Sequence, residues 1–202
     1  MIKNKTKIIL ASTSPRRKAM LKAIGLNFIT MKPATEEEKY ILPSLHKYLP
    51  SEIAITLARE KAHDVEKRLN GQFTVISADT IVTLDGRIIG KPSNKKDAAR
   101  ILKLLRGRTH HVITGVCVLK HPEQKEIAFS VTTDVTMLKI TDREIESYVK
   151  TGEPMDKAGA YGIQGLGGIF IKSINGSYTN VVGLPLTELI TALKRLKVIE
   201  IE

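Results

Sequence analysis

With 202 residues, 42% of them hydrophobic, the chain can build one sizeable core or two small lobes. Its charged fraction of 26% suits a soluble globular domain, and no apolar run approaches the roughly 18 residues of a membrane span. A net charge of +11 calls for a polyanionic partner, yet aromatics make up only 4% of the chain, a poor supply for stacking on exposed bases. A nucleotide therefore fits as well as DNA or RNA. The single cysteine, Cys117, excludes an internal disulfide framework and points to a reducing, cytoplasmic setting. It sits in a Val/Ile-rich pattern and reads as a small core hydrophobe.

The start imitates a signal peptide, with Lys3, Lys5 and Lys7 ahead of Ile8, Ile9 and Leu10. That apolar stretch is too short for the purpose and runs into Arg16 and Arg17. Residues 7–11 instead read as a strand. Ser14 and Pro15 then open a helix as N-cap and first helical residue, with Ala19, Met20, Ala23 and Ile24 at helical spacing and Gly25 as its stop. Residues 26–31 read as a second strand, so strand–helix–strand begins at once and predicts an α/β fold. Residues 32–50 are irregular, with acidic Glu36, Glu37 and Glu38. Ser51 is expected to cap a long helix with Ala54, Leu57, Ala58, Ala62, Val65 and Leu69 facing inward.

A strand over 73–84 follows, closed by the hairpin signal Asp85–Gly86 and a return strand over 87–89. Asn94 with Asp97 starts a helix whose inward stripe is Ala98, Ile101, Leu102 and Leu105. The alternating stretches 110–119 and 127–138 look like a long hairpin. Thr141 with Glu144 caps a short helix to about residue 150. A glycine-rich segment over 159–168 precedes a strand predicted over 169–174. Pro185 begins a last amphipathic helix with Leu186, Leu189, Ile190 and Leu193. The expectation is a single domain over 1–202, in which the 94–150 part could form a second lobe.

The central strand carries an anomaly. In Val75-Ile-Ser-Ala-Asp-Thr-Ile-Val82 seven residues suit a buried strand, and the other is Asp79. An ionised carboxylate there is costly unless a cation or a metal meets it. It is either a structural aspartate paired with a nearby Lys or Arg, or a catalytic or metal-binding group. Ser12, Thr13, Arg16 and Arg17 surround a predicted helix N-terminus, where arginines oppose the dipole and hydroxyls with arginines suit a phosphate. The plain alternative is two solvated arginines. Lys61 lies at the edge of the long helix's inward stripe, either snorkelling or catalytic. Lys91, in Gly90-Lys-Pro92, lacks the spacing of a phosphate loop. In the glycine-rich segment Gln164 offers a donor and an acceptor for a base edge, while the glycines let backbone approach a ligand, or simply make a long turn. The five histidines lack metal-site spacing, and no chemistry is assigned to them.

Taken in order, Ile9-Leu-Ala-Ser-Thr-Ser-Pro-Arg-Arg17, Ala58-Arg-Glu-Lys-Ala62, Ser77-Ala-Asp-Thr80, Gly90-Lys-Pro92, Thr114-Gly115, Asp156-Lys-Ala-Gly-Ala-Tyr-Gly-Ile-Gln-Gly165 and Asn180-Val-Val-Gly-Leu-Pro185 resemble the Maf family of nucleoside triphosphate pyrophosphatases. The resemblance covers nearly the whole chain. It implies an α/β fold with a strongly twisted mixed sheet flanked by helices, and two lobes around a deep cleft. It implies hydrolysis of a nucleoside triphosphate to monophosphate and pyrophosphate with Mg²⁺, or Mn²⁺ or Co²⁺ in its place, and a homodimer. The wording around Asp79 and Gln164 resembles the branch that prefers dTTP and UTP over the one acting on 7-methyl-GTP.

By the same resemblance Asp79 is the catalytic proton acceptor, and Arg16, Thr80 and Gln164 shape substrate choice. Ser12, Arg17, Lys61 and Lys91 correspond to further substrate positions. The family commonly has Asp-Glu after the second strand where this chain has three glutamates; Glu37 is taken as the cleft carboxylate, sharing a metal with Asp79. Geometry permitting, Gln164 could pair with uracil or thymine and, rotated, with cytosine. The rival class is a non-catalytic, basic nucleic-acid-binding division regulator, favoured by charge and opposed by the few aromatics and by Asp79. A phosphotransferase is opposed by the missing phosphate loop.

Overall fold

The computed structural model describes residues 2–34 and 48–202. Glu36, Glu37 and Glu38 lie outside the described residues. Two short strands, β1 (Ile2–Asn4) and β9 (Ile199–Ile201), pair antiparallel with Lys3 opposite Glu200. Among the described residues the main sheet has seven strands and is mixed, as the α/β reading expects. Its order is β3 (Ile29–Thr30), β2 (Lys7–Leu10), β4 (Phe73–Leu84), β6 (Thr109–His121), β7 (Lys125–Met137) and β8 (Ile171–Asn175), with β5 (Arg87–Ile89) on β4. β2 is parallel to β3 and β4, whereas β4–β5 and β7–β8 are antiparallel. The described residues also form helices α1 (Pro15–Ala23), α2 (Pro50–Glu66), α3 (Lys95–Leu105), α4 (Asp142–Lys150), α5 (Tyr178–Val182) and α6 (Leu186–Arg195), with 3₁₀ turns over Glu153–Asp156, Ala158–Ala160 and Leu166–Phe170.

The chain divides into two compact units: residues 1–79, 114–131 and 183–202 form the first, and 80–113 with 132–182 form the second. In the first, Ile9, Ala58, Ala62, Val65, Phe73, Val75, Cys117 and Leu119 pack into a closed cluster. Cys117 is a buried core residue, as expected, and burial pushes its thiol far up from the ordinary value. In the second, Ala98, Ile101, Leu102 and Leu105 all turn inward, as the spacing of α3 requires, against Val112, Met137, Ile145 and Phe170.

Local chemistry explains most boundaries. Ser14 Oγ accepts from the Arg17 amide at α1, Asn94 Oδ1 from the Asp97 amide at α3, and Thr141 with Glu144 forms a full capping box at α4. Asp85 and Gly86 both take positive φ, the turn that a two-residue hairpin needs.

Several boundaries differ from the sequence reading. The long helix starts at Pro50 rather than after a Ser51 cap: proline suits the first helical position, and the Leu49 amide donates to Glu52 Oε2 at 2.9 Å. The second strand shrinks to Ile29–Thr30. On α1 the buried pair is Met20 and Leu21, not Ala19 and Ala23, because the two larger side chains bury more apolar area. The strand predicted to begin at residue 169 begins at Ile171, since a 3₁₀ turn over Leu166–Phe170 uses the residues before it.

Candidate functional site

Strand β4 is buried at every residue except Asp79 and Thr80. Alternation along a strand sends neighbouring side chains to opposite faces, so Ser77 and Asp79 share one face. Helix α2 lies directly on that face. A close approach to the sheet is made possible by Gly115 on β6, where an added Cβ would fall 2.1 Å from the Ala54 carbonyl oxygen and 2.5 Å from the Ile55 nitrogen. One turn further along α2, the Ser77 hydroxyl donates to the Ala58 carbonyl at 2.5 Å. Three residues on, Lys61 Nζ reaches Asp79 Oδ1 at 2.5 Å, with both side chains 18% exposed. The cation that the sequence demands for Asp79 is therefore Lys61, and the edge-of-stripe lysine is neither solvated nor merely snorkelling.

A second feature of the first unit is the turn from β2 into α1. The hydroxyl of Ser12, a buried residue, accepts from the Ser14 amide at 3.2 Å and from Arg17 Nη1 at 3.4 Å. Arg17 Nε donates to the Gly183 carbonyl at 2.8 Å. Arg17 is thus fixed at a helix N-terminus by partners at both ends of its guanidinium, while no acidic residue stands in the first turn. Arg16 is half-buried beside it. Hydroxyls, amides and two guanidinium groups at a helix start make a surface suited to phosphate.

In the second unit the Gly159 amide donates to the Gly90 carbonyl at 3.2 Å, which brings the Gly90-Lys91-Pro92 stretch against the glycine-rich segment. Lys91 and Gln164 are both exposed. The glycines have a different partner from the one the sequence suggests. A Cβ at Gly165 would lie 2.5 Å from Glu153 Oε1, and one at Gly167 would lie 2.5 Å from the Tyr148 hydroxyl. What the backbone approaches at these two positions is protein. Glu153 Oε2 accepts from the Leu166 amide at 2.9 Å, and Oε1 accepts from the Gly167 amide at 3.1 Å and the Tyr148 hydroxyl at 2.9 Å. Burial raises the Glu153 carboxyl, but those amides, the Tyr148 hydroxyl and the Lys157 charge outweigh it and hold it below the ordinary value. Sequence reasoning missed Glu153 and Tyr148. The available signal was the density of glycines, which needs a large group to close upon.

Asp79 is the carboxylate of the expected metal pair that falls among the described residues, and Glu37 lies outside them. A Mg²⁺ carried by a triphosphate keeps most of its ligands as water and phosphate and asks a protein for one or two carboxylates. Asp79 fits that demand. Among the described residues no three His, Cys, Asp or Glu side chains gather as a cage of their own. Of the described histidines, His110 is buried, with Nε2 2.7 Å from the Tyr161 hydroxyl, and His63 and His121 contact Glu66. Among the described residues no helix is long and apolar enough to cross a membrane.

A family model described as Maf-like protein matches residues 7–196. The dTTP/UTP pyrophosphatase of Dictyoglomus thermophilum is 47% identical over 192 residues, 95% of this chain and 97% of that one. Its counterpart in Thermococcus gammatolerans is 48% identical over 189 residues, 94% and 96% of the two chains. That of Clostridium botulinum strain Eklund 17B is 46% identical, covering 93% and 98%. Among solved structures the Ham1 protein of Staphylococcus aureus aligns at a TM-score of 0.40 and 17% identity over 66% of this chain and 72% of that one, too loose a likeness to argue from.

Proposed function

This chain belongs to the Maf family, and we propose that it hydrolyses dTTP and UTP, with CTP as a further substrate, to the nucleoside monophosphate and pyrophosphate. The single observation that carries the reading is the position of Asp79: with its partner Lys61 it stands where an otherwise buried strand meets solvent, an opening that a purely structural ion pair does not need. Relatives over nearly the full length bear the name dTTP/UTP pyrophosphatase, which supports the same substrates.

In the reaction a water oxygen bonds to the α-phosphorus while the bond from that phosphorus to the oxygen bridging to the β-phosphate breaks. The water's proton goes to Asp79, and pyrophosphate leaves with the bridging oxygen. Charge crowds on the phosphates throughout, so positioning and electrostatics supply most of the acceleration. Arg16, Arg17 and Lys61 of the first unit neutralise that charge, and Ser12 orients Arg17. Of the second unit, Lys91 adds a further cation for the triphosphate, Thr80 shapes substrate choice and Gln164 reads the base edge. Mg²⁺ held by Asp79, with Glu37 as second ligand, would neutralise phosphate oxygens.

The reading extends to a homodimer in the cytoplasm, on the family resemblance and the single cysteine. Nucleic acid is left aside because the aromatic supply is small.

The test is a screen of the purified protein with Mg²⁺ against UTP, dTTP, CTP, GTP, ATP and 7-methyl-GTP, with pyrophosphate as the readout. Pyrophosphate release fastest with UTP and dTTP is the expected result. Preference for 7-methyl-GTP would move the chain to the other branch. Release of orthophosphate alone, or no turnover with retention of nucleic acid on filters, would overturn the proposal.

A further inference from the structure

Gln164 is exposed and lies in a glycine-rich turn, which by composition alone should be mobile. A side chain that discriminates bases by hydrogen bonding has to be held within a fraction of an ångström, so something must hold the turn. The fastening is visible on both sides of Gln164. After it, the Leu166 and Gly167 amides both donate to Glu153; before it, the Gly162 amide donates to the Tyr148 hydroxyl at 3.3 Å, and that hydroxyl donates on to Glu153. One carboxylate thus closes a ring of hydrogen bonds around residues 162–167. Gly165 and Gly167 leave the room that Glu153 and Tyr148 occupy. Tyr148 is itself anchored, buried and packed edge-on to Phe170 with ring centroids 5.2 Å apart.

We infer that Glu153 is a positioning residue for base selection: through the Leu166 and Gly167 amides and the Tyr148 hydroxyl it fixes the turn that presents Gln164 to the nucleobase. The inference rests on the base-reading role proposed for Gln164. A carboxylate is suited to the task because it is acceptor-only and can take all three donors at once. A glutamine in its place turns one acceptor into a donor facing another donor, at unchanged size.

The experiment compares Glu153→Gln, Tyr148→Phe, Gln164→Ala and the Glu153→Gln/Gln164→Ala double variant. kcat and KM are measured for UTP, dTTP, CTP and GTP, and amide exchange is followed at Leu166 and Gly167. Glu153→Gln is expected to raise exchange at both amides and to cut the discrimination between UTP and GTP by about tenfold, mainly through KM for the preferred bases. Tyr148→Phe, which keeps the carboxylate, should give a smaller loss in the same direction and serves as the test if Glu153→Gln fails to fold. The double variant should discriminate no worse than Gln164→Ala, because two changes acting through one group do not add.

If Gln164→Ala alters the ranking of nucleotides and Glu153→Gln and Tyr148→Phe do not, the positioning role is overturned and the base-reading role stands. If Gln164→Ala leaves the ranking unchanged, the base-reading role falls and the inference falls with it. Equal loss of kcat for every nucleotide in folded Glu153→Gln would mark a merely structural role and also overturn it.

Discussion

The Ser77 hydroxyl donates to the Ala58 carbonyl at 2.5 Å, two residues before Asp79 on the strand and three before Lys61 on the helix. This bond sets the register between β4 and α2 immediately beside the pair expected to carry the chemistry. It turns a strand residue and a helix residue 18 positions apart into neighbours.

Asp79→Asn keeps the side-chain size and removes the proton acceptor. Pyrophosphate release should fall by roughly 10²- to 10⁴-fold, the range for loss of a general base. Nucleotide binding, measured by titration calorimetry, should persist, because Lys61 and the two arginines keep their charge. Retention of a third or more of the wild-type rate would sink the assignment.

Gly115→Ala places a methyl group against the backbone of α2, with no flexible side chain to give way. Overpacking of this kind costs on the order of 1–3 kcal/mol, to be read as a lower urea midpoint. The helix carrying Lys61 must shift, so kcat should fall together with stability. A fully stable, fully active variant would show that the close approach is not needed.

Ser77→Ala removes the hydroxyl and leaves the rest of the strand intact. Loss of one buried hydrogen bond should lower stability by about 1 kcal/mol. The informative readout is kcat at 25 °C, which should drop several-fold although Ser77 touches no substrate group. An unchanged kcat would separate the clamp from catalysis.

His110 predicts a pH dependence of stability. Burial, with His111's charge second, lowers its pKa from 6.5 to about 4. The unfolded chain therefore binds a proton in a pH range where the folded chain does not, and stability must fall as pH falls from about 6.5 toward 4. Between pH 7 and pH 5 this one group should cost about 2 kcal/mol. Urea unfolding at the two pH values, in wild type and His110→Gln, checks it. The loss between the two pH values should be smaller in the variant by about that amount.

Chelation tests the metal. With EDTA in excess, pyrophosphate release should stop, and Mg²⁺ added beyond the chelator should restore it. Full turnover without a divalent ion would remove the metal from the mechanism.

Much of the fold is legible in the sequence because its signals are local. The Asn94–Asp97 and Thr141–Glu144 caps, the Asp85–Gly86 turn and the inward stripe of α3 each depend on residues within a few positions of one another. Asp79 stands out for the same reason: a carboxylate in a run of buried strand residues is anomalous without any knowledge of the fold.

The pairing of β1 with β9 has no such signal. Three-residue strands at the two ends of the chain find each other only when the folded core brings them together. The contact between Gly115 and Ala54, the identity of Lys61 as the cation for Asp79, and the grip of Glu153 on the Gln164 turn are likewise decisions of tertiary structure. By itself the sequence determined that Asp79 needed a positive partner, since the cost of a bare buried charge follows from the strand pattern alone. Which cation answers it depends on where α2 lies against β4. That is fixed by a glycine without a side chain and a serine hydroxyl reaching a helix carbonyl, contacts between residues far apart in the chain.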